Sequence, residues 1–261
     1  MLPALWVAKT GLSAQDTNLT VISNNLANVS TTGFKRDRAE FQDLLYQIKR
    51  QPGGQSTQDS ELPSGLQVGT GVRVVGTQKN FSAGSLQTTE QPLDLAINGR
   101  GFFQILQPDG TTSYTRDGTF HLSSEGQVVT ANGYTLEPAI VVPNDAQTFT
   151  VGQDGTVSIT VAGNPAAQII GNLQTVDFIN PAGLQAAGNN LFLETAASGA
   201  PQIGTPGLNG FGTTLQNTLE TSNVSTVEEM VNMITTQRAY EMNSKVISTA
   251  DQMLSFVTQN L

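Results

Sequence analysis

The chain has 261 residues, no cysteine, a formal net charge of −9 and only 13% charged residues, roughly half the usual share. That length allows one large or two small domains with a real core. The acidic balance argues against a general nucleic-acid binder, and the lack of cysteine excludes disulfides and thiolate catalysis.

The opening stretch MLPALWVAK is apolar but short. No basic residue precedes it and no small-x-small cleavage site follows, so it makes a poor secretory signal. No run approaches the ~20 apolar residues of a membrane helix, and direct membrane insertion is not expected. The protein reads as soluble, and either cytoplasmic or exported by an unusual route. From Leu5, leucines recur at Leu12, Leu19 and Leu26, each followed three residues later by Ala8, Gln15, Ile22 and Val29. This is a heptad stripe, narrower than the face a globular core takes. About 26 residues at ~1.5 Å each make a rod of roughly 40 Å. The stripe runs into NNLANVSTTGFKR, where Ser and Thr can satisfy freed backbone groups and Gly33 permits a turn. The basic residues Lys35, Arg36, Arg38, Lys49 and Arg50 alternate with Asp37, Glu40 and Asp43, which reads as a solvated face rather than an anion site.

Tyr46 to Gly69 is a turn-rich, low-complexity insert whose Pro52, Gly53, Gly54 and Pro63 disfavour helix or central strand. From about Leu66 to Ala200, short β-rich runs alternate with Asp-Gly or Asn-Gly at 109–110, 117–118, 132–133 and 154–155, the pairs that favour tight hairpins. A second connector, SGAPQIGTPGLNGFGTT, precedes Ser225, where Ser225 and Glu228 fit a capping box. From there Met233, Tyr240, Ile247, Leu254 and Leu261 are seven apart, with Val246, Ala250, Met253 and Val257 widening the stripe and no Gly or Pro to the end.

The expected fold is therefore α+β: long N- and C-terminal helices pairing as a coiled-coil stalk, with a central antiparallel β-rich domain. The expected parts are a stalk helix over 1–30 and a connector over 31–69 containing the insert 46–69. A β domain over 70–200, a connector over 201–224 and a stalk helix over 225–261 follow.

The sequence nominates no catalytic, metal or cofactor-binding residue. His121 stands alone in a predicted hairpin, and one imidazole without Cys partners makes a poor metal or triad candidate. GTGVRVVG begins like a dinucleotide loop, but Val74 takes the third glycine position and a strand follows rather than a helix. GRGFF fails the same test. Asp94, Asp109, Asp117 and Asp154 fall among turns, where Asp serves local hydrogen bonding. The sequons at Asn18, Asn28 and Asn223 lie in or beside the helices, which favours coincidence. An enzyme is not expected.

Asn25, Leu26, Ala27, Asn28, Thr32, Gly33, Phe34 and Lys35 resemble the N-terminal signature of bacterial flagellar rod and hook proteins. EEMVNMITTQRAYEMNSKVISTADQML resembles that family's C-terminal signature, and LDLAINGRGFFQI a third shared segment. The opening 46 residues, the length and the insert are closest to the distal rod branch of the family.

The resemblance implies a structural subunit of the distal rod. Such subunits are exported by the flagellar type III apparatus without a cleaved signal peptide. They polymerise into a straight hollow drive shaft that crosses the periplasm, transmits torque to the hook and lets exported subunits pass. The implied partners are further copies, proximal rod proteins, the hook protein, the P- and L-ring proteins and the export apparatus. The residues expected to pack subunit against subunit are Leu5, Leu12, Leu19, Ile22 and Leu26 with Ile234, Ile247, Ala250, Leu254 and Val257. The insert is the expected difference between rod and hook. Alternatives within the family are a proximal rod or hook-type protein; outside it, a peptidoglycan-cleaving enzyme or a β-rich adhesin.

Overall fold

The computed structural model describes residues 2–259 except Gly54, Gln58, Asp59 and Leu62. The side chains of Leu2, 55–57, 60–61, 164–165 and Val257 also lie outside that description. The chain divides into two compact units, one of Met1–Ala27, Asp37–Gln78 and Ser225–Leu261, the other of Asn28–Arg36 and Lys79–Val224.

The first unit holds α1 (Leu2–Ala27), α2 (Thr226–Gln259) and six strands. The strands are β1 (Asp37–Asp43), β2 (Tyr46–Arg50), β3 (Gln55–Thr57), β4 (Ser60–Glu61), β5 (Leu66–Gly69) and β6 (Val72–Lys79). β1 pairs with β6, β2 with β5 and β3 with β4, the last two pairs antiparallel. The run read as a turn-rich insert is thus a hairpin arm: YQIKR and LQVG supply two facing sides, and Pro52 and Gly53 stand between β2 and β3. α2 begins where its first turn is served. The Glu228 N–H donates to Ser225 Oγ at 3.5 Å and the Glu229 N–H to Ser225 O at 3.0 Å, and two carboxylates face the positive end of the helix dipole.

The coiled-coil stalk expected of the terminal helices is not what the structure contains. The described residues form two helices, one near each end of the chain, and a large antiparallel β-rich body. α1 and α2 do touch, with the Asn18 amide donating to Thr236 Oγ1 at 3.0 Å and Gly11 facing Asn243 so closely that a Cβ there would lie 3.1 Å from its amide. The fully buried helix residues are Ala8, Ala14, Ile22, Asn25, Glu229, Thr236 and Ala250. Small and polar groups let the backbones approach and bond across; they do not build the apolar knobs-into-holes seam that defines a coiled coil. Leu5, Leu12, Leu19 and Leu26 are only partly buried.

The second unit introduces β7 (Leu86–Thr88), β8 (Leu95–Asn98), β9 (Phe103–Leu106), β10 (Thr112–Thr115), β11 (Phe120–Leu122) and β12 (Val128–Thr130). β13 (Thr135–Glu137), β14 (Ala146–Val151), β15 (Thr156–Val161), β16 (Asn164–Asn172), β17 (Thr175–Asp177) and β18 (Gln185–Gly188) follow. The last are β19 (Leu191–Leu193), β20 (Gln202–Gly204), β21 (Thr213–Gln216) and β22 (Thr218–Glu220). A seven-stranded sheet runs β11-β12-β13-β9-β10-β19-β18 and a three-stranded one β14-β15-β16, with two-stranded pairs β17-β20, β21-β8 and β22-β7.

Of the Asp-Gly and Asn-Gly pairs at 109–110, 117–118, 132–133 and 154–155, three close hairpins between consecutive strands: β9 to β10, β12 to β13 and β14 to β15. Their glycines Gly110, Gly133 and Gly155 all have φ near +80°, the conformation such turns demand. Asp117-Gly118 is different. It turns a corner between β10 and β11, which do not pair with each other, and the Gly118 carbonyl accepts the Leu95 N–H at 3.0 Å.

Alternating residues from these strands fill two apolar clusters. One centres on Leu95, Ile97, Phe103, Ile105, Phe120, Leu136, Val157 and Leu173, the other on Phe102, Tyr114, Val176, Phe178, Leu184 and Phe192. In the second, Phe102 meets Phe178 and Phe192 edge-on, the arrangement the ring quadrupoles favour. Each large side chain so buried contributes about 1.5–3 kcal/mol.

Candidate assembly site

The signature segment divides between the units. Asn25, in the last turn of α1, is 1% exposed, and its position is explained by what its amide does. Its Oδ1 accepts the Asp37 N–H at 2.9 Å while its Nδ2 donates to the Asp37 carbonyl at 2.8 Å. The same Nδ2 lies 3.4 Å from Glu229 Oε2 in the first turn of α2. One side chain thus ties together the end of α1, the start of β1 and the start of α2, a task that requires both a donor and an acceptor at one position.

Beyond Asn28 the signature belongs to the second unit. The Thr31 N–H and hydroxyl both turn back to Asn28, to its carbonyl and its Oδ1. The Asn190 amide donates to the Thr32 carbonyl at 3.1 Å. Gly33 has φ +68°, and a Cβ there would lie 2.6 Å from the Asp117 nitrogen; both facts demand glycine. The Phe34 ring receives the Lys79 ammonium 5.2 Å from its centroid, a cation–π contact. The Arg36 N–H donates to Asn223 Oδ1 at 2.8 Å.

Lys35 corrects the reading of a solvated basic face. It is 1% exposed, donating to Glu220 Oε1 at 2.6 Å and to the Ser82 carbonyl at 2.8 Å. Glu220 is the hub. Its Oε1 also accepts the Gly84 N–H at 2.8 Å, its Oε2 accepts Arg116 Nη1 at 3.2 Å, and its carbonyl accepts the Gly33 N–H at 2.8 Å. Arg116 further donates to the Ile97 and Gly99 carbonyls and lies 5.3 Å from the Phe102 ring. Burial pushes the Lys35 ammonium below its ordinary value against the opposing pull of Glu220, and Arg116 adds to the lowering. Arg116 is likewise lowered by burial and raised by Glu220. Two cations around one carboxylate in a dry site demand full hydrogen bonding to be tolerated. The sequence marks Lys35 only through the resemblance; Arg116 and Glu220 carry no local signal.

The residues expected to pack between subunits fall into three groups. Ile22 and Ala250 are buried, whereas Leu5, Leu12, Leu19, Leu26, Ile247 and Leu254 are partly buried and Ile234 is exposed. The Val257 side chain and Leu261 lie outside the described residues. Sequence reasoning named Ile234, Val246 and Met253 of the most exposed apolar series but missed Val227, Val231, Met242 and Phe256. Val227, Val231, Ile234, Met242, Val246, Met253 and Phe256 recur at helical spacing along α2, each 46–74% exposed. The signal was present as a second i, i+3, i+4 series beside the heptad.

On the insert arm, Tyr46, Ile48, Leu66 and Val68 are exposed, and Leu45 just before it is 89% exposed. Of its turn residues, Gly53 adopts φ +73°, Pro52 packs close to Gly65 and Pro63 is exposed; Gly54 lies outside the described residues.

Among the described residues no group of three or more His, Cys, Asp or Glu is placed to hold a metal ion. No helix there is long and apolar enough to cross a membrane. What the geometry offers is surface: exposed apolar faces on helices and hairpin, and a signature held by buried polar bonds.

Three family models match: the flagella basal body rod protein model over residues 5–35, the FlgE/F/G hook protein D1 domain over 96–159 and the FlgEFG basal body rod C-terminal model over 215–260. Flagellar basal-body rod protein FlgG of Buchnera aphidicola subsp. Schizaphis graminum is 55% identical over 99% of this chain and 100% of its own length. The chain belongs to the FlgG family of flagellar basal-body rod proteins. FlgG of Caulobacter vibrioides is 50% identical, covering 99% of each chain, and FlgG of Bacillus subtilis 38% identical, covering 97% of each. The FlgG family is structural rather than enzymatic, and its place is the flagellar basal body. The hook/rod D1 model ends inside the β-rich unit, within β15, whereas the rod models cover the signature and α2.

Proposed function

We propose that this chain is the repeating subunit of the flagellar distal rod, polymerising into a straight hollow drive shaft that transmits torque from motor to hook and lets exported subunits pass. In this reading the shaft crosses the periplasm, abuts proximal rod proteins below and hook protein above, and turns inside the P and L rings. The subunit reaches its place through the type III apparatus without loss of a signal peptide. The observation that carries the reading is the apolar series left exposed along α2. A monomer that kept such a surface wet would forgo several side chains' worth of burial. A head-to-tail contact that does not close makes a helical polymer, the form a shaft requires.

Leu5, Leu12, Leu19, Ile22 and Leu26 with Ile234, Ile247, Ala250, Leu254 and Val257 are the proposed contact set, now joined by Met242, Val246 and Phe256. The insert arm is the proposed lock against sliding between neighbours, since its exposed apolar residues lie on a hairpin rather than a mobile loop. Electron microscopy of purified protein under polymerising conditions tests the reading. Straight tubes are expected from the parent protein and none from Ile234→Asp, whose monomer should melt within about 0.5 kcal/mol of the parent because the site is exposed. Normal tubes from that variant would remove α2's outer face from the contact.

A further inference from the structure

The chain has no cysteine and five methionines, so methionine carries all of its sulfur. Apart from Met1, every one lies in α2, at Met230, Met233, Met242 and Met253. The β-rich unit contains no sulfur atom. Met230 is 53% exposed, Met242 62% and Met253 54%, whereas Met233 is partly buried. The three exposed side chains stand among Val227, Val231, Ile234, Val246 and Phe256, the apolar series that α2 leaves open.

A thioether fills an apolar contact much as leucine does, but it differs in one chemical respect. Its sulfur can take an oxygen atom from a peroxide. A sulfur lone pair attacks one oxygen of the O–O bond, that oxygen stays on sulfur, and the other takes up the proton and leaves as water. The thioether loses two electrons and the peroxide gains them. The sulfoxide so formed is polar and chiral. Water hydrates it readily, whereas a dry apolar contact offers it no donor.

We infer that Met230, Met242 and Met253 are peroxide-modification sites at which sulfoxide formation stops a subunit from joining the polymer. Their exposure opens them to a small oxidant while the subunit is free, and covering the outer face of α2 closes them. The modification therefore acts on incoming subunits and spares the finished shaft. The inference rests on the polymer reading above and adds to it a chemical control of growth.

Monomer is treated with hydrogen peroxide until peptide mass spectrometry shows an added oxygen at all three methionines. The protein concentration at which polymer appears should then rise about tenfold. Melting should match the untreated protein, because the side chains face solvent. Methionine sulfoxide reductases of both epimer specificities should restore the original onset. In polymer formed beforehand, the same dose should oxidise these residues about tenfold more slowly than in monomer. The combined variant Met230→Leu, Met242→Leu, Met253→Leu, compared with its own untreated onset, should not respond to peroxide. The reductase step needs no substitution, so it decides even where that variant fails to assemble.

An unchanged onset after full oxidation overturns the inference and leaves the rod reading standing. So does a raised onset that persists once mass spectrometry shows the oxygens removed, or equal oxidation rates in monomer and well-formed polymer. A full response in the leucine variant moves the effect to Met1, Met233 or Trp6 and also overturns it. Failure of the untreated parent to polymerise overturns the rod reading, and this control with it.

Discussion

The two units solve the problem of burial in opposite ways. The β-rich unit finishes its own interior: Phe102, Phe103, Phe120, Phe178, Leu95 and Ile97 are all 2% exposed or less, and even its buried charges meet inside it at Glu220. In the helical unit Ile22 is the one large apolar side chain among the described residues to reach full burial, while Trp6, Ile48, Met230, Met242, Met253 and Phe256 remain exposed. The interior it does have is made of small and polar groups around Asn25, Thr236 and Glu229. A subunit that must hold a fixed shape and also join a polymer can divide the work in this way, closing one part and leaving the other unfinished for its neighbours.

The contrast is broken most directly at the hub of the closed unit. Glu220→Gln keeps the shape but leaves Lys35 and Arg116 buried without their carboxylate, and should cost about 3–5 kcal/mol in denaturant unfolding. A loss under 1 kcal/mol would mean the charges are solvated after all. The corresponding change in the open unit should cost less. Asn25→Ala orphans both backbone groups of Asp37 and should cost about 1–3 kcal/mol, with faster hydrogen exchange at the Asp37 amide. Unchanged exchange there would remove Asn25 from its role as a tie.

The smallest effect sharpens the picture of the closed unit through pH. Burial first, then Glu194 and Glu137, push the Tyr114 phenol up to about 12. An unfolded tyrosine titrates near 10, so the unfolded chain releases this proton first. The stabilisation is complete below pH about 10 and is lost as pH rises from there to about 12. Tyr114→Phe should flatten the alkaline fall in melting temperature over that window, and parallel curves for the two proteins would count against the shift.

Much of this division was legible in the sequence, for physical reasons that also set its limits. Helices at both ends and strands between them follow from periodicity, and three turns follow from Asp-Gly or Asn-Gly because only such pairs take both residues of the turn at low cost. Asp117-Gly118 carries the same local signal, yet tertiary packing against Leu95 uses it for a corner. The heptad leucines of α1 are only partly buried within the chain. What lets helices touch here is the smallness of Gly11 and Ala14 and the bonding of Asn18, and small residues leave no hydrophobic trace. The insert's Pro and Gly masked the alternation of YQIKR and LQVG on either side of them. The most consequential residue, Lys35, looked like surface because the carboxylate that buries it stands 185 positions away.

That separation has a kinetic meaning. The segment containing Gly33 and Lys35 is among the first made and Glu220 among the last, yet neither can be dry without the other. A chain emerging from its N-terminus can form the local hairpins of β9 to β16 early, but closing the unit waits for a contact of very high sequence separation, the kind that slows folding. Until residue 220 arrives, the early part of the chain holds an unspent lysine, which disfavours burial and keeps the incomplete subunit open.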